Sequence, residues 1–318
     1  MRRLVPAARV AELVYALDSK SGVLTGIRVQ VPSLVLRKPW FPGASEREGL
    51  GPRLLGGGGA VIPRGDAVHS VCDALVRHRS ADLLARRDLP SQTGGPMSAM
   101  RHDRVSCHVC GTESEHEVAL RATEDGAPDL DTRPPETLRS TMPSWVQRCP
   151  ACGYCAPDLA DGPQKAERVV RTAAYKALVE DMTRPTLANA FLASSAVLEA
   201  GASFAEAGWQ AVYAAWSCDD AGDEEAASEC RLRAVELFAR ALLARQEVTE
   251  EPGGSDAVMA DLLRRAGRFD EAIARAEAGI ERASLHTRRM LVYIIALATR
   301  EDRDAHSSTE APPVPLSS

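Results

Sequence analysis

Residues 148–155, RCPACGYC, place three cysteines in seven positions. Cys149 and Cys152 bracket a CPxCG turn, and residues 107–111, CHVCG, repeat the pattern with Cys107, Cys110 and Gly111. A C-x2-C-G turn aims two sulfurs the same way. Its glycine has no side chain to keep backbone amides away from them. Two such turns facing each other supply four thiolates in a tetrahedron, with metal–sulfur distances of about 2.3 Å. Cys107, Cys110, Cys149 and Cys152 are therefore expected to ligate one structural Zn2+, with 38 residues between the two turns. Iron is the competing metal, because a rubredoxin-like site also pairs two knuckles and has a tryptophan ahead of the second, where Trp145 stands. Such domains are rich in aromatics, whereas Trp145 is the only Phe, Tyr or Trp in residues 107–148.

His102, His108 and His116 flank the first turn. Four sulfurs already complete a shell, so the histidines read as surface residues. Cys155 reads either as an accessory, exchangeable thiol or as a small half-buried residue leaving the turn. Between the turns, residues 115–122 (EHEVALRA) alternate like a strand, and residues 143–149 (PSWVQRC) suit a strand entering the second turn. Residues 124–136, EDGAPDLDTRPPE, read as a loop. Within it, Asp129, Asp131 and Arg133 form a candidate cluster, which a solvated Asx-turn would explain equally simply. The sum is a zinc ribbon over residues 101–160. Its 6 Arg and no Lys against 10 Asp/Glu make nucleic acid an improbable ligand, since phosphate binding needs a cationic face.

From residue 161 the period becomes helical. Helices are expected over about 163–181, 186–200, 204–218 and 223–246, a loop over 246–256, and three more helices to about 302. Residues 262–281, LLRRAGRFDEAIARAEAGIE, resemble a tetratricopeptide repeat: Ala266 and Gly267 turn the chain, Phe269 plugs the turn, and Ala272, Ala276 and Gly279 allow close helix approach. Residues 214–235 follow the same scheme with Gly222 at the turn. The expected class is mainly α, a small β zinc ribbon followed by a tetratricopeptide-like hairpin array over 161–302. Trp209, Tyr213 and Trp216 share one stripe and read as core, as do Cys218 and Cys230.

The ends differ. Residues 1–96 carry 14 Lys/Arg against 8 Asp/Glu and include GGGG at 56–59. Residues 1–100 are read as a spurious or disordered extension, and residues 8–35 resemble a translated tRNA gene. Residues 10–14 can be encoded with a D-arm consensus and residues 28–32 with a T-arm consensus, which makes Met97 or Met100 the expected natural start. Cys72 is then accidental. Residues 303–318 are expected to be a disordered tail. No apolar run is long enough for a membrane span. A basic start interrupted by Arg9 and Glu12 is not a signal core, so a cytoplasmic site is expected.

The order of ribbon, D-x-D-x-R-P loop, W…CPxCGY and tetratricopeptide-like helices resembles a bacterial family classified as a domain of unknown function. The resemblance is carried by Cys107, Cys110, Gly111, Asp129, Asp131, Arg133, Pro134, Trp145, Cys149, Pro150, Cys152, Gly153 and Tyr154, and then AVYAAWSCDDAG. It departs at His108, where proline is usual, and at Cys155, where alanine is usual. The resemblance implies an architecture, not a reaction. No phosphate-binding, nucleophile-elbow or H-E-x-x-H motif occurs. The expected function is a non-enzymatic adaptor binding a protein or peptide. The alternative is a redox protein, with iron or with a Cys155-dependent thiol switch.

Overall fold

Two hairpins open the computed structural model, which describes residues 99–121 and 126–313. β1 (Ala99–Ser106) pairs antiparallel with β2 (Glu113–Arg121), in register from Met100 opposite Ala119 to Ser106 opposite Glu113. On the outer face Arg104 meets Glu115 at 3.1 Å, an exposed cross-strand pair of small energetic weight. The second hairpin is shorter: β3 (Gln147–Arg148) pairs with β4 (Cys155–Ala156). A 3-10 turn, Arg139–Trp145, leads into it where a longer strand from 143 is expected. Pro143 explains the difference, since it lacks the N–H a ladder needs.

The helices are α1 (Ala166–Val170), α2 (Ala173–Val179), α3 (Thr186–Ala200), α4 (Phe204–Asp220), α5 (Glu224–Leu243), α6 (Gly254–Arg265), α7 (Phe269–Ile280) and α8 (Leu285–Thr299). One helix expected over 163–181 is two. Thr172 causes the break: its hydroxyl donates to Val169 O at 2.7 Å and accepts from Tyr175 N at 3.2 Å, capping α2.

From α3 on, each helix packs against the next. Several helices end the same way, with a left-handed residue and two backbone bonds folding back. At Gly222 (φ 73°) the bonds are Gly222 N to Asp219 O and Asp223 N to Cys218 O; at Gly267 (φ 75°) they are Gly267 N to Arg264 O and Arg268 N to Leu263 O. These two turns sit where the sequence repeat places them. Ala202, Arg245 and Glu301 end α3, α5 and α8 in the same conformation. Close approach is real at two glycines. A Cβ on Gly208 would lie 2.5 Å from the Phe238 ring, and one on Gly279 would lie 2.6 Å from Asp256 Cβ.

The larger core joins the hairpin module to α1–α5 and the near side of α6, through Cys149, Tyr154, Leu159, Phe191, Trp216, Leu237 and Leu262. Trp209, Tyr213 and Trp216 lie in this seam. Tyr213 meets Trp145 at 5.4 Å and Phe191 at 5.6 Å, both edge-on. A second core, under α6–α8, includes Leu130 from the loop between the cysteine turns.

The expected disordered tail is corrected through residue 313. Asp129 bridges to Ser307, Leu130 N donates to His306 O at 2.9 Å, and Ser308 N donates to Pro128 O at 2.9 Å. A capping box closes residues 308–310, and Ala311 is buried. Backbone pairing with a distant loop supplies the order that composition does not. Strand β1 also begins within the segment assigned to the 1–100 extension. The readings of residues 1–98, with the tRNA-like stretch and Cys72, lie outside the described residues, as do residues 314–318. Among the described residues no helix is long and apolar enough to cross a membrane.

Candidate metal centre and the loop beside it

The two cysteine turns are built alike. In the first, Cys107 N donates to Thr112 O at 2.9 Å and Gly111 N donates to Cys107 O at 2.8 Å. In the second, Cys149 N donates to Tyr154 O at 2.8 Å and Gly153 N donates to Cys149 O at 3.0 Å. Gly111 and Gly153 adopt φ 72° and 75°, a region that costs a side-chain-bearing residue strain. Each pair of strands thus delivers two sulfurs to one point.

The turns face each other. Cys107 Sγ lies 3.7 Å from Cys152 Sγ, and Cys110 Sγ lies 3.6 Å from Cys149 Sγ; all four sulfurs lie within 4.8 Å of one another. A tetrahedron of sulfurs at about 2.3 Å from a central ion has edges of about 3.8 Å. A disulfide would need about 2.05 Å. The four cysteines are thus close enough to hold one metal ion, and their spacing fits that geometry. Cys107 and Cys149 are buried, Cys152 is half-buried and Cys110 is exposed at the rim. Burial pushes the Cys107 and Cys152 thiols up. Hydrogen bonds from the Thr112 hydroxyl and backbone pull Cys110 down to about 6. Bound metal would have to displace protons mainly at Cys107 and Cys152.

Support for the second turn comes from a helix. Tyr175 of α2 is buried; its hydroxyl accepts from Cys155 N at 3.0 Å and donates to Gly153 O at 3.1 Å. Tyr154 donates to Asp161 O at 2.8 Å, and Gln147 Oε1 accepts from Leu159 N at 3.3 Å. These partners fix the ligand-bearing backbone from outside. Cys155 is not among the four converging sulfurs. It is fully buried, its Sγ donates to Gly153 O at 3.4 Å, and burial raises its pKa to about 11. His102 and His108 are exposed, and His116 bonds Ser114 at 2.8 Å.

Asp129, Asp131 and Arg133 are not a solvated loop. Asp131 is fully buried and Arg133 nearly so. Asp131 Oδ2 accepts from Trp216 Nε1 of α4 at 2.9 Å and from Arg265 Nη1 of α6 at 2.8 Å; Oδ1 accepts from Arg133 N at 3.2 Å. Arg265 also reaches Asp219 at 2.9 Å, Arg231 of α5 pairs with Asp219, and Arg133 pairs with Asp220. Asp129 holds Arg139 at 3.0 Å. Burial alone would raise the Asp131 carboxyl. Arg265, Arg231 and the Trp216 indole outweigh it and hold the group below the usual carboxylate range. Next to this network Arg264, fully buried, bonds Asp261 at 2.8 Å and the carbonyls of Asp302 and Asp304. Sequence reading missed Asp219, Arg231, Trp216 and Arg265 as partners. The paired D-D at 219–220 and R-R at 264–265 were the signal available.

Comparison of this chain with protein-family models, with curated proteins and with solved structures returns no match.

Proposed function

We propose that the chain is a zinc-stabilised, non-enzymatic adaptor: a four-cysteine ribbon fused to a tetratricopeptide-like helical array that presents its surface to a protein or peptide partner. The convergence of four sulfurs, joined by no other ligating side chain among the described residues, supports the metal half of this reading. A metal held by four thiolates keeps no open position for water or substrate, which is how structural rather than hydrolytic zinc is bound. Zinc suits an all-sulfur tetrahedron and asks for no redox partner. The helices support the array half of the reading through repeated hairpin turns at Gly222 and Gly267 and small residues at the crossings. A cytoplasmic site, where free thiols persist, accords with the unpaired cysteines. The net charge of the ribbon disfavours nucleic acid as the partner.

The test has two arms on the full chain. Elemental analysis is expected to find one zinc per chain, lost on Cys149→Ser. Cross-linking to co-purified proteins is expected to map contacts to residues 186–299. A red iron–thiolate chromophore in protein purified without added iron would replace this reading with electron transfer. The thiol-switch alternative predicts peroxide-driven metal release that Cys155→Ser abolishes; the burial of Cys155 opposes it.

A further inference from the structure

The loop carrying Asp131 lies in sequence between the two cysteine turns, yet its tip is planted in the helical array. Leu130 enters the α6–α8 core beside Ala257, Ala260, Leu291 and Ile294. Asp131 supplies the one carboxylate that both Trp216 and Arg265 share. Arg133 closes onto Asp220 at the end of α4. The loop is stiffly joined to the second turn. Arg139 ties back to Asp129 and to Pro134 O, Trp145 Nε1 donates to Thr141 Oγ1 at 2.9 Å, and two residues after Trp145 the chain is in β3, which runs into Cys149.

We propose that this loop is a clasp through which metal occupancy at the four cysteines controls the packing of α4, α5 and α6. The inference rests on the metal half of the functional reading, not on the existence of a partner. Metal closes the segment between Cys110 and Cys149 into a loop, which removes part of the chain entropy opposing insertion of its tip. Without that closure the clasp must be ordered at full entropic cost. Its withdrawal leaves Arg265 and Arg231 sharing Asp219 alone, in a buried site where an unpaired charge is expensive. The helical surface set by the clasp is identifiable. Leu232 and Ala266 follow Arg231 and Arg265 directly and line a groove of about 460 Å³ with Glu224, Glu225, Glu229 and Arg303. Arg303 Nε donates to Arg265 O at 3.2 Å, so the groove wall is bonded to the backbone of a helix residue that the clasp holds. Metal state thereby sets the shape of a helical face that carries none of the four sulfurs.

Linkage makes the coupling reciprocal: a clasp variant must weaken metal binding by the factor by which metal strengthens the clasp. The experiment uses the full chain loaded with zinc, the same chain stripped by chelator, and loaded Asp131→Asn and Trp216→Phe. Backbone hydrogen exchange and zinc competition against a chromophoric chelator are read on each. Stripping is expected to accelerate exchange in residues 126–136, 214–220, 229–233 and 262–266 by on the order of tenfold or more. Asp131→Asn is expected to reproduce the helical part of that pattern with zinc still bound. It is also expected to lower zinc affinity about tenfold or more, and Trp216→Phe to do the same more weakly. Acceleration confined to 99–156, or unchanged zinc competition in both variants, would each overturn the clasp. Failure to take up zinc at all would overturn it together with the metal reading, whereas failure to find a partner would touch only the adaptor.

Discussion

Replacing Tyr175 by Phe removes one oxygen from the support of the second cysteine turn and leaves the ring in place. The buried hydroxyl accepts from Cys155 N at 3.0 Å and donates to Gly153 O at 3.1 Å. Gly153 O keeps a weaker partner in Cys155 Sγ at 3.4 Å, but Cys155 N has none of that kind. An unsatisfied buried N–H costs about 1–3 kcal/mol, so the turn should lose about 2 kcal/mol in all. The share felt only when metal organises the turn appears as affinity, at tenfold per 1.4 kcal/mol. Supporting groups behind metal ligands typically account for about 10- to 100-fold in affinity. The expected result for Tyr175→Phe is zinc bound at unchanged stoichiometry but about tenfold or more weaker in chelator competition, with a lower urea midpoint for the loaded protein. An affinity within about threefold of the parent, together with a stability change below about 0.5 kcal/mol, would show that α2 does not brace the site.

Cys155→Ser should leave zinc stoichiometry and competition unchanged, since Cys155 Sγ is not among the converging sulfurs; elemental analysis decides it. Gly208→Ala places a Cβ 2.5 Å from the Phe238 ring and should destabilise by about 1–3 kcal/mol in urea unfolding, without changing metal content. His306 sits between Glu310 at 2.8 Å and Asp302 at 3.1 Å, with the Tyr293 hydroxyl also facing it. Burial opposes its protonation, but the bonds to Glu310 and Asp302 win and raise its pKa. A raised folded pKa contributes stability that is complete below about pH 6.5 and is lost as pH rises through the folded value. Residues 302–311 should therefore exchange amide hydrogen faster relative to intrinsic rates above that range, and His306→Gln should abolish the pH dependence.

The four-cysteine cluster was legible because its information is local. Each C-x2-C-G turn sets its own two sulfur directions through bonds spanning at most five residues, as from Cys107 N to Thr112 O. The helical hairpins were legible for the same reason, since Gly222 and Gly267 mark turns whose closing bonds lie within one helical turn. The continuous helix expected across Thr172 failed, and the helix that Thr172 caps carries Tyr175, whose hydroxyl reaches Gly153 O. The cap is local, whereas the contact it positions lies 22 residues away.

The cluster at Asp129, Asp131 and Arg133 was visible as residues and invisible as a structure. An aspartate followed by Thr-Arg-Pro reads as an Asx-turn, and Arg133 N does donate to Asp131 Oδ1 at 3.2 Å, but the turn is buried rather than solvated. Its partners Trp216 and Arg265 lie 85 and 134 positions along the chain, and no local period records a pairing at that distance. The tail from Asp302 to Ala311 shows the same division: its composition lacks a core, and its order comes from backbone bonds to Pro128 and Leu130. The sequence by itself determined which sulfurs could meet and where the helices turn, because short-range backbone geometry dictates both. Only the tertiary structure decided that the loop between the cysteine turns is buried as a clasp, because burial of a charge depends on which distant opposite charge comes to meet it.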